Sequence, residues 1–288
     1  MSKTARQDTV WNYDVERIEL QTPEGQPSGY FGNRRIDTKE VLGVVSENYQ
    51  ILQNRDLFAQ ADEVFTKMGL MEQGGKAKHI VTRGGSQARA IYTFDKIGVK
   101  VRERDDLVLT LTVANSFDGT LGASFNIGFL RVVCTNGLMA PAGKGTNINK
   151  KHTLAVAESF TENKVKHAID AFHRGAELFK PMINYRLGQQ DGRNILGNLA
   201  ARKVISTRTA KQINEVWESP SYTQDYDRNI WGLYNASTEY LTHEVAPKRF
   251  ELAQRFTHGI VNSLARVAAG RDDALVFEEV PEEYAVLN

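Results

Sequence analysis

The sequence predicts an α+β fold: an antiparallel β-meander sheet packed by helices, with a mostly helical C-terminal half. Two observations carry the prediction. Between Lys78 and Met139 short β-branched and apolar runs alternate with turn residues, and beyond about residue 150 the apolar spacing becomes helical almost throughout.

Taken in order, residues 1–40 hold Pro23, Gly25, Pro27, Gly29 and Gly32 in quick succession and read as an irregular arm closed by turns. Val41 to Val45 is a short strand. Asn54 then serves as the cap of a helix running to Met68, with Leu57, Phe58, Ala61, Val64 and Phe65 on one face and Gly69 as its stop. Strands follow at His79–Thr82, Ala88–Phe94, Val99–Val101, Leu107–Asn115, Ser124–Phe129 and Leu130–Val133, separated by turns at Gly84-Gly85, Asp105-Asp106 and Asp118-Gly119. Residues 41–150 therefore form a sheet region with one helix. Residues 151–270 are a helical region packing on it, with helices at about 161–187, 197–217, 226–245 and 247–269, the last opening on Pro247. Residues 271–288 are an acidic tail, either mobile or docked by Val276, Phe277, Tyr284 and Leu287.

The net charge of +1 hides blocks of opposite sign. From Gly74 to Lys151, twelve Lys and Arg face five acids, a net +7; from Gly270 to Asn288, Arg271 faces six acids, a net −5. A basic middle suits polyanions, and an acidic tail can compete for that surface or recruit a partner; solvated faces without a ligand are the alternative. No apolar run approaches the roughly 20 residues a membrane span needs. Met1 to Glu16 has no apolar leader core, so a cytoplasmic protein is expected. One cysteine, Cys134, leaves no internal disulfide and no cysteine-based zinc cage.

Two stretches carry more than structure: Asn115-Ser-Phe-Asp-Gly119 followed by Arg131-Val-Val-Cys-Thr-Asn136, and the run from Trp231 to His243 that contains Asn235. Together with Tyr49-Gln-Ile-Leu-Gln-Asn54 they resemble the phage/plasmid-like proteins grouped under domain of unknown function number 932, over roughly residues 40–250. The resemblance implies a mobile-element origin and little mechanism. Phe117 stands where that family usually has histidine.

In the first motif Asn115, Asp118 and Gly119 suit a hairpin turn, with Asn115 and Asp118 as alternative ligand or metal contacts. Arg131 and Asn136 bracket a strand and carry donors suited to phosphate or base edges, although Arg131 can equally pair with Asp118 across the hairpin. Cys134 alternates with apolar neighbours and reads as a small buried hydrophobe. The six histidines lack metal-binding spacing, and Gly143-Lys-Gly-Thr146 lacks the order of a nucleotide phosphate loop. Trp231 reads as helix packing, and Asn235 as a polar group either on a wet face or satisfied inside, for instance against the Asn115 turn, with a ligand contact as the alternative. No catalytic residue, cofactor or metal is expected, and an enzyme ranks last.

The leading expectation is nucleic-acid binding, most concretely single-stranded DNA binding or annealing in replication or recombination of a mobile element. Arg83, Arg89, Lys100, Arg102, Arg131, Lys144, Lys150 and Lys151 would contact phosphates, and Tyr92, Phe94, Phe117, Phe125 and Phe129 would stack bases, in a homo-oligomer. The alternative is a non-enzymatic protein that binds a host factor in anti-restriction or anti-defence, with the acidic tail or the helical half as interface.

Overall fold

The computed structural model describes residues 11–103, 105–132, 137–138, 147–150 and 161–286, with the backbone alone for 137–138, 147–150 and 224. The fold is α+β. The chain divides into two compact units: residues 1–97, 109–127 and 145–169, and residues 98–108, 128–144 and 170–288.

In the first unit, β1 (Val15–Gln21), β2 (Pro27–Arg35) and β3 (Val41–Val45) form an antiparallel sheet in that order. This corrects the irregular arm expected for residues 1–40. Pro23 and Gly25 occupy the β1–β2 turn, where Gly25 has φ +77, and Pro27 opens β2, a position that tolerates its missing N–H. Gly32 sits where the Ile18 side chain crosses, with Ile18 Cγ1 only 3.0 Å from the place a Cβ would take. The Pro and Gly residues are thus parts of a hairpin.

Helix α1 (Asn54–Lys67) buries Leu57, Phe58, Ala61 and Phe65 as its periodicity requires, and Gly69, at φ +69, lies just beyond its end. Asn54 does not cap it. Its side chain donates instead to Trp11 O at 3.0 Å and accepts from Asn115.

The second sheet runs β4 (Gly75–Thr82), β5 (Gln87–Arg102), β6 (Asp105–Ser116), β7 (Ala123–Arg131) and β8 (Gly137–Leu138), with β9 (Asn147–Lys150) also paired to β7. The predicted strands at 88–94 and 99–101 are one strand, β5. Asp105 and Asp106, read as a turn, begin β6.

The described helices are α2 (Glu162–Glu177), α3 (Phe179–Asn184), α4 (Gln189–Ala201), α5 (Thr207–Glu218), α6 (Ile230–Tyr240), α7 (Phe250–Ala268) and α8 (Ala274–Phe277). The predicted helix 197–217 is broken after α4, where Lys203 adopts φ +58, and restarts at Ser206, whose hydroxyl caps α5 by accepting from Thr209 N at 3.1 Å. Asn229 caps α6 in the same way through Gly232 N, and α6 ends in a π-helical turn, Leu241–Val245. Pro247 precedes α7 and does not open it.

The acidic tail is docked. Leu275, Val276 and Val286 are buried, Asn198 Nδ2 donates to Leu275 O and Glu278 O at 3.2 and 3.1 Å, and Arg202 pairs with Asp272 at 2.9 Å. Phe277, expected among the anchors, is instead 70% exposed.

Candidate functional site

The β4–β5 ribbon has two unlike faces, because side chains alternate along each strand. Ala88, Ala90, Tyr92 and Phe94 are fully buried. They share a face with α1, where Phe65 meets the rings of Tyr92 and Phe94 edge-on at 4.7 and 5.5 Å. The opposite face carries Lys76, Lys78, Ile80 and Thr82 in register with Thr93, Ile91, Arg89 and Gln87. Lys76 and Lys78 are exposed, and Lys76 pairs with Asp95. Among the described strands β4 is an edge, so these two lysines also discourage the addition of another strand.

At the tip of this ribbon the turn after Thr82 joins the turn after β6. Arg83, whose side chain is 57% exposed, reaches Asp118 Oδ2 and Thr120 Oγ1, both at 3.4 Å. The Thr120 amide donates to Asp118 Oδ1 at 3.0 Å, and Gln87 Nε2 donates to Thr120 Oγ1 at 2.8 Å. Behind them Arg89 is 1% exposed and donates to Gln87 Oε1 and Thr82 Oγ1 at 3.1 and 3.2 Å. Burial, reinforced by the like charge of Arg83, pushes the Arg89 guanidinium down to about 10. Arg83, Arg89, Asp118 and Gly119, picked out separately in the sequence, therefore lie in one network or on its turn.

The first motif is anchored from behind. Asn115 Nδ2 donates to Leu52 O at 2.7 Å and Asn54 Oδ1 at 2.8 Å, Tyr49 Oη donates to Ser116 O at 2.5 Å, and Asn33 Nδ2 donates to Phe117 O at 2.6 Å. Burial pushes the Tyr49 phenol well above its ordinary range. A Cβ on Gly43 would fall 2.4 Å from Asp118 Cα, so β3 approaches this turn as only glycine allows. The hydrogen bonds of Asn115 and Asp118 serve the turn.

The second unit holds a buried ion cluster. Arg131, with 0% side-chain exposure, donates from Nε to Asp105 Oδ1 at 2.5 Å, from Nη2 to Asp105 Oδ2 at 3.0 Å and from Nη1 to Asp225 Oδ2 at 2.7 Å. Trp231 Nε1 and Arg102 Nε each donate to Asp105 Oδ2 at 2.9 Å, and Arg102 Nη1 reaches Asp227 at 2.7 Å. Burial alone would lower the Arg131 pKa, but the two carboxylates outweigh it and hold the guanidinium charged. Asp225 is pushed up, chiefly by burial, against the pull of Arg131. Residues of the two family motifs, Arg131 and Trp231, thus meet on one carboxylate.

This geometry corrects several expectations. Arg131 pairs with Asp105 and Asp225, whereas Asp118 pairs with Arg83. Arg89 and Arg131 are buried, so neither offers a surface for phosphates. Tyr92, Phe94, Phe117, Phe125 and Phe129 are buried as well, because their strand parity points them into apolar packing, and they cannot stack bases. Arg102 is committed to Asp105 and Asp227, while Lys100 is exposed on β5. Lys144, Lys151, Asn136 and Cys134 lie outside the described residues, as does the side chain of Lys150. Asn235 is fully buried in α6, and neither atom of its amide has a hydrogen-bond partner among the described residues. It is neither on a wet face nor bonded to the Asn115 turn.

Sequence reasoning missed Asp105, Asp225, Asn33 and Thr120. For Asp105 a signal existed: it shares strand parity with Leu107, Leu109 and Leu111, all buried. Among the described residues no group of three or more His, Cys, Asp or Glu is placed to hold a metal ion, and no helix is long and apolar enough to cross a membrane.

The fold and its two polar clusters define an α+β protein with antiparallel sheets, whose most distinctive residues tie strands and helices together from within. It belongs to the family described as Domain of unknown function (DUF932), whose family model matches residues 41–267. No curated protein and no solved structure matches the chain.

Proposed function

We propose that this chain is a nucleic-acid-binding protein of a mobile element that grips the phosphate backbone through the β4–β5 ribbon. The observation that carries this reading is the row of exposed cations Lys76, Lys78 and Arg83 along one face and tip of that ribbon, with the apolar side chains turned to α1. Lys76 and Lys78 are two residues apart, about 7 Å along a strand, which spans roughly two phosphates of one DNA strand. Because the candidate aromatics are buried, the grip rests on charge and carries little sequence preference. It therefore extends to duplex as well as to the single strands handled in replication or recombination.

The test is fluorescence anisotropy of labelled single-stranded and duplex DNA across a salt series. Three engaged cations give a slope of log affinity against log salt of about −2 for single strands. The combined change Lys76→Gln, Lys78→Gln, Arg83→Gln flattens it. No binding at low salt, or a slope unmoved by the triple variant, refutes the reading.

A second reading, a non-enzymatic host-factor binder, draws on Phe277, which is 70% exposed on the docked tail beside exposed Glu278 and Glu279. Its test is nuclease-resistant capture of one host protein that Phe277→Ser abolishes; capture that survives the substitution counts against it.

A further inference from the structure

The turn Arg83–Gly84–Gly85 is unlike the other described turns. Its three residues all take positive φ, +52, +63 and +102, and the first is not glycine. An arginine in the left-handed region is strained, so the surroundings must hold it there.

They do so through the turn's carbonyls. Arg83 O accepts from Ser86 N at 3.2 Å, while Gly85 O accepts from the Tyr13 hydroxyl. Ser86 Oγ is itself fixed by Leu42 O at 2.7 Å. In a planar trans peptide the C=O and the following N–H point in opposite directions. With Arg83 O drawn inward, the Gly84 N–H is aimed outward. Gly84 is exposed, and nothing lies within 4 Å of the place its Cβ would take.

Arginines flank this turn. The Arg83 guanidinium leaves from the neighbouring residue, exposed and held to Asp118 only at 3.4 Å. Arg35 Nη1 lies 3.5 Å from the Cβ position of Gly85, but its guanidinium is held by Asp37 in two bonds at 2.9 and 2.7 Å and so adds little net charge. Arg89 lies buried behind the turn and adds a fixed positive field without touching solvent. An outward amide beside an exposed guanidinium, backed by a buried one, is the chemistry that receives an oxyanion. A bound anion would also relieve the repulsion between Arg83 and Arg89.

We propose that this turn is a discrete binding site for one phosphate group, which Gly84 N–H and Arg83 contact directly while Arg89 acts through its field. The site goes beyond the lysine row. It rests on the nucleic-acid reading only for the source of the phosphate, which is a strand's backbone, a strand's terminal phosphate, or a free phosphate compound.

The experiment follows the Gly84 amide of the full chain by nitrogen–proton NMR at constant ionic strength, titrating inorganic phosphate against chloride. Saturable movement of Gly84 by phosphate and not by chloride is expected. Arg83→Gln should weaken it tenfold or more and Arg83→Lys should restore part, with thermal melting showing that both variants stay folded. An unmoved Gly84 amide, or an Arg83→Gln titration like the parent's, overturns the site.

Competing oligonucleotides then assign the source. Equal displacement of phosphate by 5′-phosphorylated and 5′-hydroxyl strands identifies the backbone, and displacement by the phosphorylated strand alone identifies the terminus. If neither displaces it, the site stands with a free phosphate compound as ligand. Failure of the lysine row shows separately, as DNA affinity unaffected by Lys76→Gln with Lys78→Gln.

Discussion

Asp105→Asn is the sharpest perturbation of the buried ion cluster. The side chain keeps its shape but loses its charge, and one acceptor oxygen becomes an NH2 that faces donors. Asp105 now accepts two bonds from Arg131 and one each from Arg102 and Trp231, and all of these are weakened or reversed. Arg131 stays fully buried with Asp225 as its remaining carboxylate. Removing one partner of a buried pair costs about 3–5 kcal/mol, which for a chain of this size lowers the melting temperature by roughly 6–20 °C. Asp225→Asn should cost less. Asp225 accepts one close bond from Arg131, lies 3.7 Å from Arg102, and is pushed up in pKa by burial, so its charge already opposes folding. The sign follows from proton linkage: above pH 3.8 the folded chain holds this proton more tightly than the unfolded one. Its contribution to stability therefore falls as pH rises through the window up to the raised folded value, and Asp225→Asn flattens that fall. Urea unfolding followed by tryptophan fluorescence measures both variants. An Asp105→Asn change of less than about 1 kcal/mol, or a larger loss for Asp225→Asn, would refute the assignment of Asp105 as the hub.

Other substitutions test neighbouring claims. Asn235→Leu should leave stability unchanged or raise it by about 1–3 kcal/mol, since an unpartnered buried amide is replaced by an apolar group of similar size; a loss on thermal melting would mean the amide has a partner. Gly43→Ala forces a Cβ against the backbone of Asp118 and should cost about 1–3 kcal/mol in urea unfolding, whereas a neutral result would show that β3 can move away. Tyr49 should resist ionisation in an ultraviolet alkaline titration, and because its folded pKa is raised, stability is lost as pH climbs above 10; Tyr49→Phe removes this loss together with about 1 kcal/mol from the bond to Ser116. Leu275→Ala should cost about 2–5 kcal/mol and Phe277→Ser less than about 0.5 kcal/mol, an order that a detached tail would not produce.

The meander, helix α1 and the helical second half were legible because strand parity and helical spacing are local. The N-terminal hairpin was not, since Gly32 breaks a strand pattern on paper and is required in space by the Ile18 side chain crossing it. The break at Lys203 carries no glycine or proline to announce it. For the polar clusters the limit is sequence distance. Arg131 shares parity with Phe125, Ile127 and Phe129, so its burial could have been read, but Asp225 lies 94 residues away in a single 3-10 turn, Thr223–Asp225, too short to show a period of its own.

That limit explains why the motifs that identify the family said so little about activity. Asn115, Arg131 and Trp231 are spent on internal bonds, to Asn54, to Asp105 and Asp225, and to Asp105 respectively. The groups we propose to meet phosphate, Lys76, Lys78 and Arg83, lie outside those motifs, on a strand and a turn whose conformation allows their exposure without specifying it. Substitutions in the motifs should therefore move stability and DNA binding together, whereas substitutions on the ribbon should move binding alone. A motif variant that melted like the parent yet lost DNA would break this separation and bring the buried cluster back into the binding surface.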